Sequence, residues 1–567
     1  KRISDLVPNG YVCNLDSGVF IEGDEHEQIT TTPIWVEALS RDGEGENWGR
    51  YVAWKDPDGT LHQEAISAGR FHSKGNELAQ DLADRGLSIV PRKEIKLLQY
   101  LAAFNISKRM KSATATGWLG EAFILPAQTI NAPDTDRIVY QPIEYHAAAN
   151  AIYSQGTPQE WQDKVARPIA PSPLARFAVA ASLSAPLRYR ANVESGGFHF
   201  YGQTSRGKTT VLQAAASVWG NAADPNIVGG HSACIQRWNA TKNGLEGVAS
   251  SFNDLPLIID EVNEADSREF GRTIYQLMAG TGKARAIKSG AGRERRHWRV
   301  TVLSAGELSV DQFIHAAGIK VMGGQLVRLV DIPAYGLFDD KDTVDRIKRA
   351  CGEYFGAVGP EFLRRFIDEG MGDALENDQL EKLAHSIGQA ETAEQCRVRW
   401  KIALVALAGE AAITLGVLPW KGESVLESCR EVYRRWLRSG EGCDDATRGI
   451  VNIKEFIQAH GDSRFSQVAG NDKTTIRDRA GWKDDDVYHF TPKAFDQACG
   501  GVQPYAVKEA LKDRKLAIFS DEEDRLRNRI TVDGQRPTVV SVKAEILSWD
   551  CPVTEDDGTG AGQQEND

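Results

Sequence analysis

Apolar positions change rhythm along the chain, and the changes divide it into regions. Over 1–150, Ile34 to Leu39 and Arg50 to Trp54 are rich in β-branched and aromatic residues and predict strands, with Asp58-Gly59 as a hairpin-type turn. Leu78 and Leu82, four apart, predict a helix over Glu77 to Arg85. Strand patterns return around Gly117-Trp118-Leu119-Gly120 and Phe123 to Leu125. This is the texture of an α+β domain, expected to serve as scaffold or in oligomerisation.

After a helical connector over 151–190, the pattern becomes that of an α/β core over 191–340. A helix (Leu174 to Leu187) leads into a short apolar strand (Phe198 to Tyr201), a Gly-rich turn and a helix (Thr209 to Trp219). Leu255 to Ile259 is unbroken and apolar, as parallel strands are when both faces are covered, and Trp298 to Leu303 and Leu326 to Ile332 predict two more. Strands alternating with helices predict a doubly wound sheet. Over 341–442 the pattern is helical: Val344 to Phe355, Glu361 to Glu369, Glu394 to Leu415 and Val425 to Leu437. Over 443–550, helices at Gly449 to His460 and Tyr505 to Leu516 precede two strands, Arg529 to Val532 and Thr538 to Val542, an arrangement like a winged helix. The segment 551–567 is acidic and predicted to be disordered.

Charge narrows the function classes. The 567 residues carry 67 Lys and Arg against 79 Asp and Glu, a formal net charge of −12. Such a chain cannot coat nucleic acid over its whole surface, so any contact with DNA must come from a locally basic patch. Eight cysteines without a CxxC pair predict reduced thiols rather than a zinc ribbon or disulfide scaffold. The most apolar stretch, Ile402 to Trp420, is interrupted by Glu410 and Pro419 and reads as a buried helix, so no membrane partner is expected. The chain opens on Lys1 with no signal segment, which reads as cytoplasmic and as part of a longer protein.

Gly202-Gln203-Thr204-Ser205-Arg206-Gly207-Lys208-Thr209, followed by Thr210, is a complete G-x-x-x-x-G-K-[ST] between a predicted strand and a predicted helix. Its glycines let backbone N–H groups curl around a polyphosphate, Lys208 reaches the β and γ phosphates of ATP, and the Thr209 hydroxyl is a ligand for Mg²⁺. Further on, Leu255 to Ile259 ends in Asp260-Glu261, where Asp260 suits the Mg²⁺ and Glu261 an attacking water. The pair favours hydrolysis over small-molecule phosphorylation. Ser304 is read as ending the next strand, placed to sense the γ phosphate. Arg328, a charge inside an apolar run, needs an anionic partner: an internal carboxylate, or the nucleotide of a neighbouring subunit.

Residues 280–299 hold Lys283, Arg285, Lys288, Arg293, Arg295, Arg296 and Arg299 against Glu294 alone, seven positive charges to one negative. Gly290 and Gly292 between the basic arms predict a projecting hairpin suited to tracking a phosphate backbone, with a solvated charge run as the plainer reading. A second basic patch combines Lys508, Lys512, Arg514 and Lys515 with arginines near the late hairpin, as a winged helix on duplex would require, with a solvated helix face as the equally good plainer reading.

Phe198-His199-Phe200-Tyr201-Gly202 running into Ser205 to Thr210 and Ala216-Ser217-Val218-Trp219-Gly220, together with Trp238 to Glu246, Ser304 to Glu307, Gly324 to Arg328 and Ala408-Gly409-Glu410, resembles a bacterial family long filed as a domain of unknown function. It includes replicative helicases of staphylococcal cassette chromosomes and initiators of mobile islands, AAA+ proteins similar to the MCM helicases. The resemblance implies a P-loop NTPase (AAA+) core with a helical lid and a C-terminal winged helix. It implies Lys208 and Thr209 as Walker A, Asp260 and Glu261 as Walker B, Ser304 as sensor one, Arg328 as arginine finger, and Arg397 as the sensor-two arginine, with Arg399 as a competitor. The basic segment then corresponds to a hairpin lining the channel of a ring. The expected function is an ATP-dependent DNA helicase or translocase, a homo-oligomer with a hexamer as the expected size, acting in replication of a mobile element or prophage, with a primase, polymerase or origin-binding protein as a candidate partner. The alternatives are an AAA+ remodelling or defence ATPase without unwinding, and a non-catalytic DNA-binding initiator assembled by ATP.

Overall fold

The computed structural model describes residues 3–23, 27–72, 75–133, 137–142, 146–203, 207–224, 232–282, 285–286, 292–293, 295–318, 327–372, 377–439, 445–468, 476, 478–518, 528–532 and 534–549. In the N-terminal part, a five-stranded mixed sheet runs in the order Ile138–Tyr140, Arg109–Ala113, Ile34–Arg41, Gly49–Lys55, Leu61–Ser67. The strands Ile34–Arg41 and Gly49–Lys55 are antiparallel, whereas Ile34–Arg41 and Arg109–Ala113 are parallel. Ile34, Val36 and Trp54 pack beneath this sheet with Leu78, Leu82 and Tyr100 from the helices Gly75–Asp84 and Glu94–Ala102.

At the centre is a parallel sheet whose strands, in chain order, are β1 (Gly196–Tyr201), β2 (Ile235–Arg237), β3 (Leu255–Asp260), β4 (Val300–Gly306) and β5 (Leu329–Pro333). Their order across the sheet is β2-β3-β4-β1-β5. Chain neighbours β1 and β2 thus lie three strands apart, and β4 stands between the strand that leads into the Gly-rich loop and the strand that ends in Asp260. On one face pack α1 (Pro173–Ser184) and α2 (Lys208–Ala216); on the other, Phe270 of α4 (Ser267–Met278) stacks edge-on against Trp238 and Phe313. Helices on both faces explain why β3 and β4 are buried along their whole length.

The helical region includes α5 (Ala393–Thr414), which packs on α1, and one core cluster runs unbroken from Phe123 to Trp436. A further helix, Asn377–Ile387, was not expected from the pattern. The late region has its own core, from Ile450 to Ile546. Its sheet is larger than the hairpin expected: Phe465–Gln467, Gly481–Lys483 and Val487–Phe490 precede Thr538–Lys543, which pairs with Val487–Phe490, Ala517–Ile518 and Asn528–Arg529. Three-residue strands carry too little alternation to be read from sequence. The acidic segment 551–567 lies outside the described residues. No helix among the described residues is long and apolar enough to cross a membrane.

Candidate functional site

The site forms where β1, β3 and β4 end together. β1 delivers the chain to Gly202 (φ 148°), and Gly207 (φ 86°) is the left-handed residue from which α2 starts. A side chain at Gly207 would strain the backbone and place its Cβ 2.7 Å from the Phe338 ring, so the loop needs glycine there twice over. Lys208 turns its ammonium back onto the loop, donating to the carbonyls of Gly202 and Gln203, each at 2.8 Å. Partial burial holds its pKa below that of an ordinary lysine, against the opposing pull of Glu307, Asp260 and Glu261. Thr204, Ser205 and Arg206 lie outside the described residues; Thr210 is buried in the helix.

The Thr209 hydroxyl donates to Asp260 Oδ2 at 2.9 Å, joining the start of α2 to the end of β3. Asp260 is nearly buried, and burial raises its carboxyl pKa, with the Thr209 bond and the Glu261 amide (2.9 Å to Oδ1) opposing. A hydroxyl beside one carboxylate is a hard-oxygen pair of the kind that shares Mg²⁺ with phosphate oxygens. Glu261 has left-handed backbone (φ 61°), unusual for a residue without the side-chain chemistry of Asn or Asp. Partial burial and the adjacent Asp260 raise its pKa, which makes it a stronger base than an ordinary glutamate.

Arg237 was missed in sequence. It ends β2, pairs in register with Asp260, and its guanidinium stands 3.3 Å from Glu264 and 3.9 Å from both Glu261 and Asp224. The only available signal was a charge directly after Ile235-Gln236, too short a run to mark a strand end.

Ser304 requires a correction. It does not end β4, which continues to Gly306, and it is fully buried in the sheet. Its Oγ accepts from the Trp238 indole at 2.9 Å and meets His199 Nδ1 at 3.1 Å, while His199 Nε2 meets the Leu308 carbonyl at 3.0 Å. Burial lowers the His199 pKa to about 4, so this is a neutral, closed network rather than a group facing phosphate. The polar side chain beyond the strand end is Glu307, whose field reaches Lys208 and Glu261.

Arg328 is in a turn immediately before β5, not inside a strand. Its guanidinium lies over the half-exposed Tyr275 ring at 4.7 Å. The Gly-rich loop follows the C-terminal end of β1 and Arg328 precedes the N-terminal end of parallel β5, so they are separated by roughly 15–20 Å of strand. Arg397 on α5 is exposed and belongs to the same end: Lys401, one turn further along, donates to the Val327 carbonyl and feels both Arg328 and Arg397. Arg399 is buried and donates to the Gly388 carbonyl at 2.8 Å, which leaves Arg397 as the accessible arginine of the pair.

In the basic segment, Arg285–Ala286 and Gly292–Arg293 form an antiparallel ladder in which Arg285 pairs with Arg293. Arg295 is exposed and Arg296 half-buried, while Lys283 and Lys288 lie outside the described residues. In the late helix Pro504–Asp513 and just after it, Lys512 is half-buried and Lys515 exposed. Arg514 is turned inward, donating to Thr447 Oγ1 at 2.9 Å with its guanidinium 6.0 Å from the Trp549 ring, which removes it from the expected basic face.

Residues 15–297 match the family model described as a domain of unknown function, DUF927. No curated protein matches the chain. Among solved structures, the chain is similar to SCCmec type IV Cch, an active helicase, at 18% sequence identity and a TM-score of 0.58, covering 95% of this chain and 99% of that chain. That likeness establishes a shared fold. The apo NrS-1 C-terminal region aligns over 90% of this chain and 96% of that chain at 9% identity, and its TM-score of 0.24 carries no weight for the fold.

Proposed function

We propose that this chain, which carries a DUF927 match over residues 15–297 and shares the fold of an active helicase, is an ATP-driven DNA helicase or translocase of a mobile element or prophage. In this reading 191–340 is an AAA+ P-loop core, 341–442 its lid, 443–550 a winged helix and 1–150 an N-terminal domain, assembled as an MCM-like ring, with a hexamer as the expected size. The observation that carries the proposal is the splitting of the polar residues between the two ends of the parallel sheet. Lys208, Thr209, Asp260 and Glu261 gather at one end, Thr209 and Asp260 in direct contact, whereas Arg328 and Arg397 stand at the other. One subunit then offers half a site on each flank, and ATP binds where the flanks of two subunits meet.

Lys208 leaves the Gly202 and Gln203 carbonyls to bind the β and γ phosphates, so its present bonds hold the place of substrate. Thr209 and Asp260 would hold Mg²⁺, which when bound neutralises charge on the phosphate oxygens. Glu261 accepts the proton of the attacking water, and the neighbour's copies of Arg328 and Arg397 stabilise charge on the transferring phosphoryl group. The hairpin around 285–293 grips one DNA strand by its phosphates. The test is strand displacement on forked DNA with ATP. Wild type should unwind; Lys208→Ala should lose nucleotide binding, and Glu261→Gln should bind ATP but hydrolyse it about 10²–10⁴-fold more slowly. DNA-stimulated hydrolysis at the wild-type rate in Glu261→Gln would sink the catalytic assignment.

A further inference from the structure

The N-terminal sheet carries a basic and aromatic patch at the corner where Ile34–Arg41 and Arg109–Ala113 pair. Along Ile34–Arg41 and Arg109–Ala113 the side chains alternate: Ser40, Met110 and Ser112 are buried, while Arg41, Arg109 and Lys111 are exposed. The register aligns Arg41 with Lys111 and Leu39 with Arg109, so these three cations share one patch of the sheet. The connection from Ile34–Arg41 to Gly49–Lys55 folds back over the patch and brings Trp48 with it. The Arg41 and Arg109 guanidiniums each lie 5.7 Å from the Trp48 ring centroid, and the indole N–H donates to the Gly45 carbonyl at 2.8 Å. The ring is thereby held in position, yet Trp48 remains 42% exposed.

A fixed indole that stays partly open under two guanidiniums offers what an unpaired base requires: ring surface for stacking and positive charge for the flanking phosphates. Duplex DNA presents its bases edge-on and cannot use the ring. Glu44 and Glu46 are exposed in the same connection, so a polyanion is directed over the Arg109 and Lys111 side. We propose that this patch of the N-terminal sheet binds single-stranded DNA, one base stacking on Trp48 while Arg41, Arg109 and Lys111 contact the neighbouring phosphates. The proposal rests on the helicase reading for the supply of unpaired strand, but it concerns a surface in a different core from the nucleotide site.

Binding of the full-length chain to fluorescein-labelled oligo(dT), followed by anisotropy over a series of salt concentrations, tests it. Trp48→Ala should weaken binding about 10-fold and Trp48→Phe should restore most of it, both with unchanged DNA-independent ATP hydrolysis. Lys111→Ala should lower the slope of log affinity against log salt by about 0.7, the counterion release of one single-strand phosphate contact. Ultraviolet crosslinking to oligo(dT) should label the peptide containing Trp48. Wild-type affinity in every variant would overturn this surface while leaving the helicase reading intact, and competition by duplex as effective as by single strand would overturn stacking. Preference for oligo(U) would overturn the assignment to DNA. A wild-type chain that bound no DNA would remove both readings together.

Discussion

Glu261 concentrates the demands on a single residue. Its backbone is left-handed, its carboxyl pKa is raised, and Arg237 stands 3.9 Å away, so the geometry that aims the side chain is maintained against local strain. Lys401 is the second residue under tension. Part of its side chain is exposed, but the ammonium is enclosed between the Val327 carbonyl and the bare backbone of Gly196, where an added Cβ would lie 2.9 Å from Nζ. Burial first, then Arg188, Arg328 and Arg397, push its pKa down to about 7, with Glu194 opposing. A lysine whose folded pKa is depressed binds fewer protons folded than unfolded between about pH 7 and its ordinary value. The cost of burying it is therefore complete below pH 7 and fades as pH rises toward 10. Lys401→Met should be stabilised relative to wild type near pH 6, less the lost bond to Val327, and that advantage should shrink steadily in melting curves recorded up to pH 10. A constant difference between the two proteins would show that the ammonium is solvated.

At the scale of elements, the Gly-rich loop and the hairpin illustrate how far local spacing reaches. Gly207→Ala meets a left-handed backbone and the Phe338 ring together, and should weaken binding of a fluorescent ATP analogue at least about 10-fold, at a conformational cost of 1–2 kcal/mol or about that order. Gly352→Ala is the matched control within the helix Lys341–Glu353. Its Cβ enters open space with ordinary φ, and it should raise stability by about 0.5–1 kcal/mol in denaturant titration. The loop, the Asp260-Glu261 strand end and the basic hairpin were all legible, because each is set by a few consecutive residues. The strand Ile235–Arg237 was not, and with it Arg237 was lost, since three residues at a sheet edge give no period to count. The helices Lys242–Ser251 and Ser267–Met278 were also passed over, although Thr241 and Asp266 cap them with side-chain bonds to backbone N–H groups.

For the whole molecule, the parallel sheet acts as a spacer that holds the Lys208, Thr209 and Asp260 cluster apart from Arg328 and Arg397. Purified Arg328→Ala rings should hydrolyse ATP about 10³-fold more slowly than wild type, and wild-type rings doped with this variant should lose activity as mixed interfaces form. Activity that depends only on the intact Lys208 copies would return Arg328 to its contact with Tyr275. The N-terminal part is latched to the opposite end of the sheet from the loop. Thr116 donates to the Ser251 and Asn253 carbonyls, Asn253 donates back to the Thr116 carbonyl, and the Trp118 amide donates to Asp254 at the start of β3. These bonds tie residues 116–118 to the point where β3 and β4 begin.

The sequence by itself determined the groups whose chemistry is local: the Gly-rich loop, the paired carboxylates, the basic hairpin, and α/β order from alternating strands and helices. These follow from neighbours along the chain, through backbone geometry and side-chain period, and need no partner from elsewhere. Which end of the sheet each group occupies was decided by the tertiary structure, because strand order and register pair residues a hundred positions apart. Register sealed Ser304 between His199 and Trp238, brought Arg237 to Asp260, and placed Arg328 and Arg397 a strand's length from Lys208. The same effect turned a Trp on a surface loop and alternate cations on two strands into one patch, which no stretch of the sequence displays.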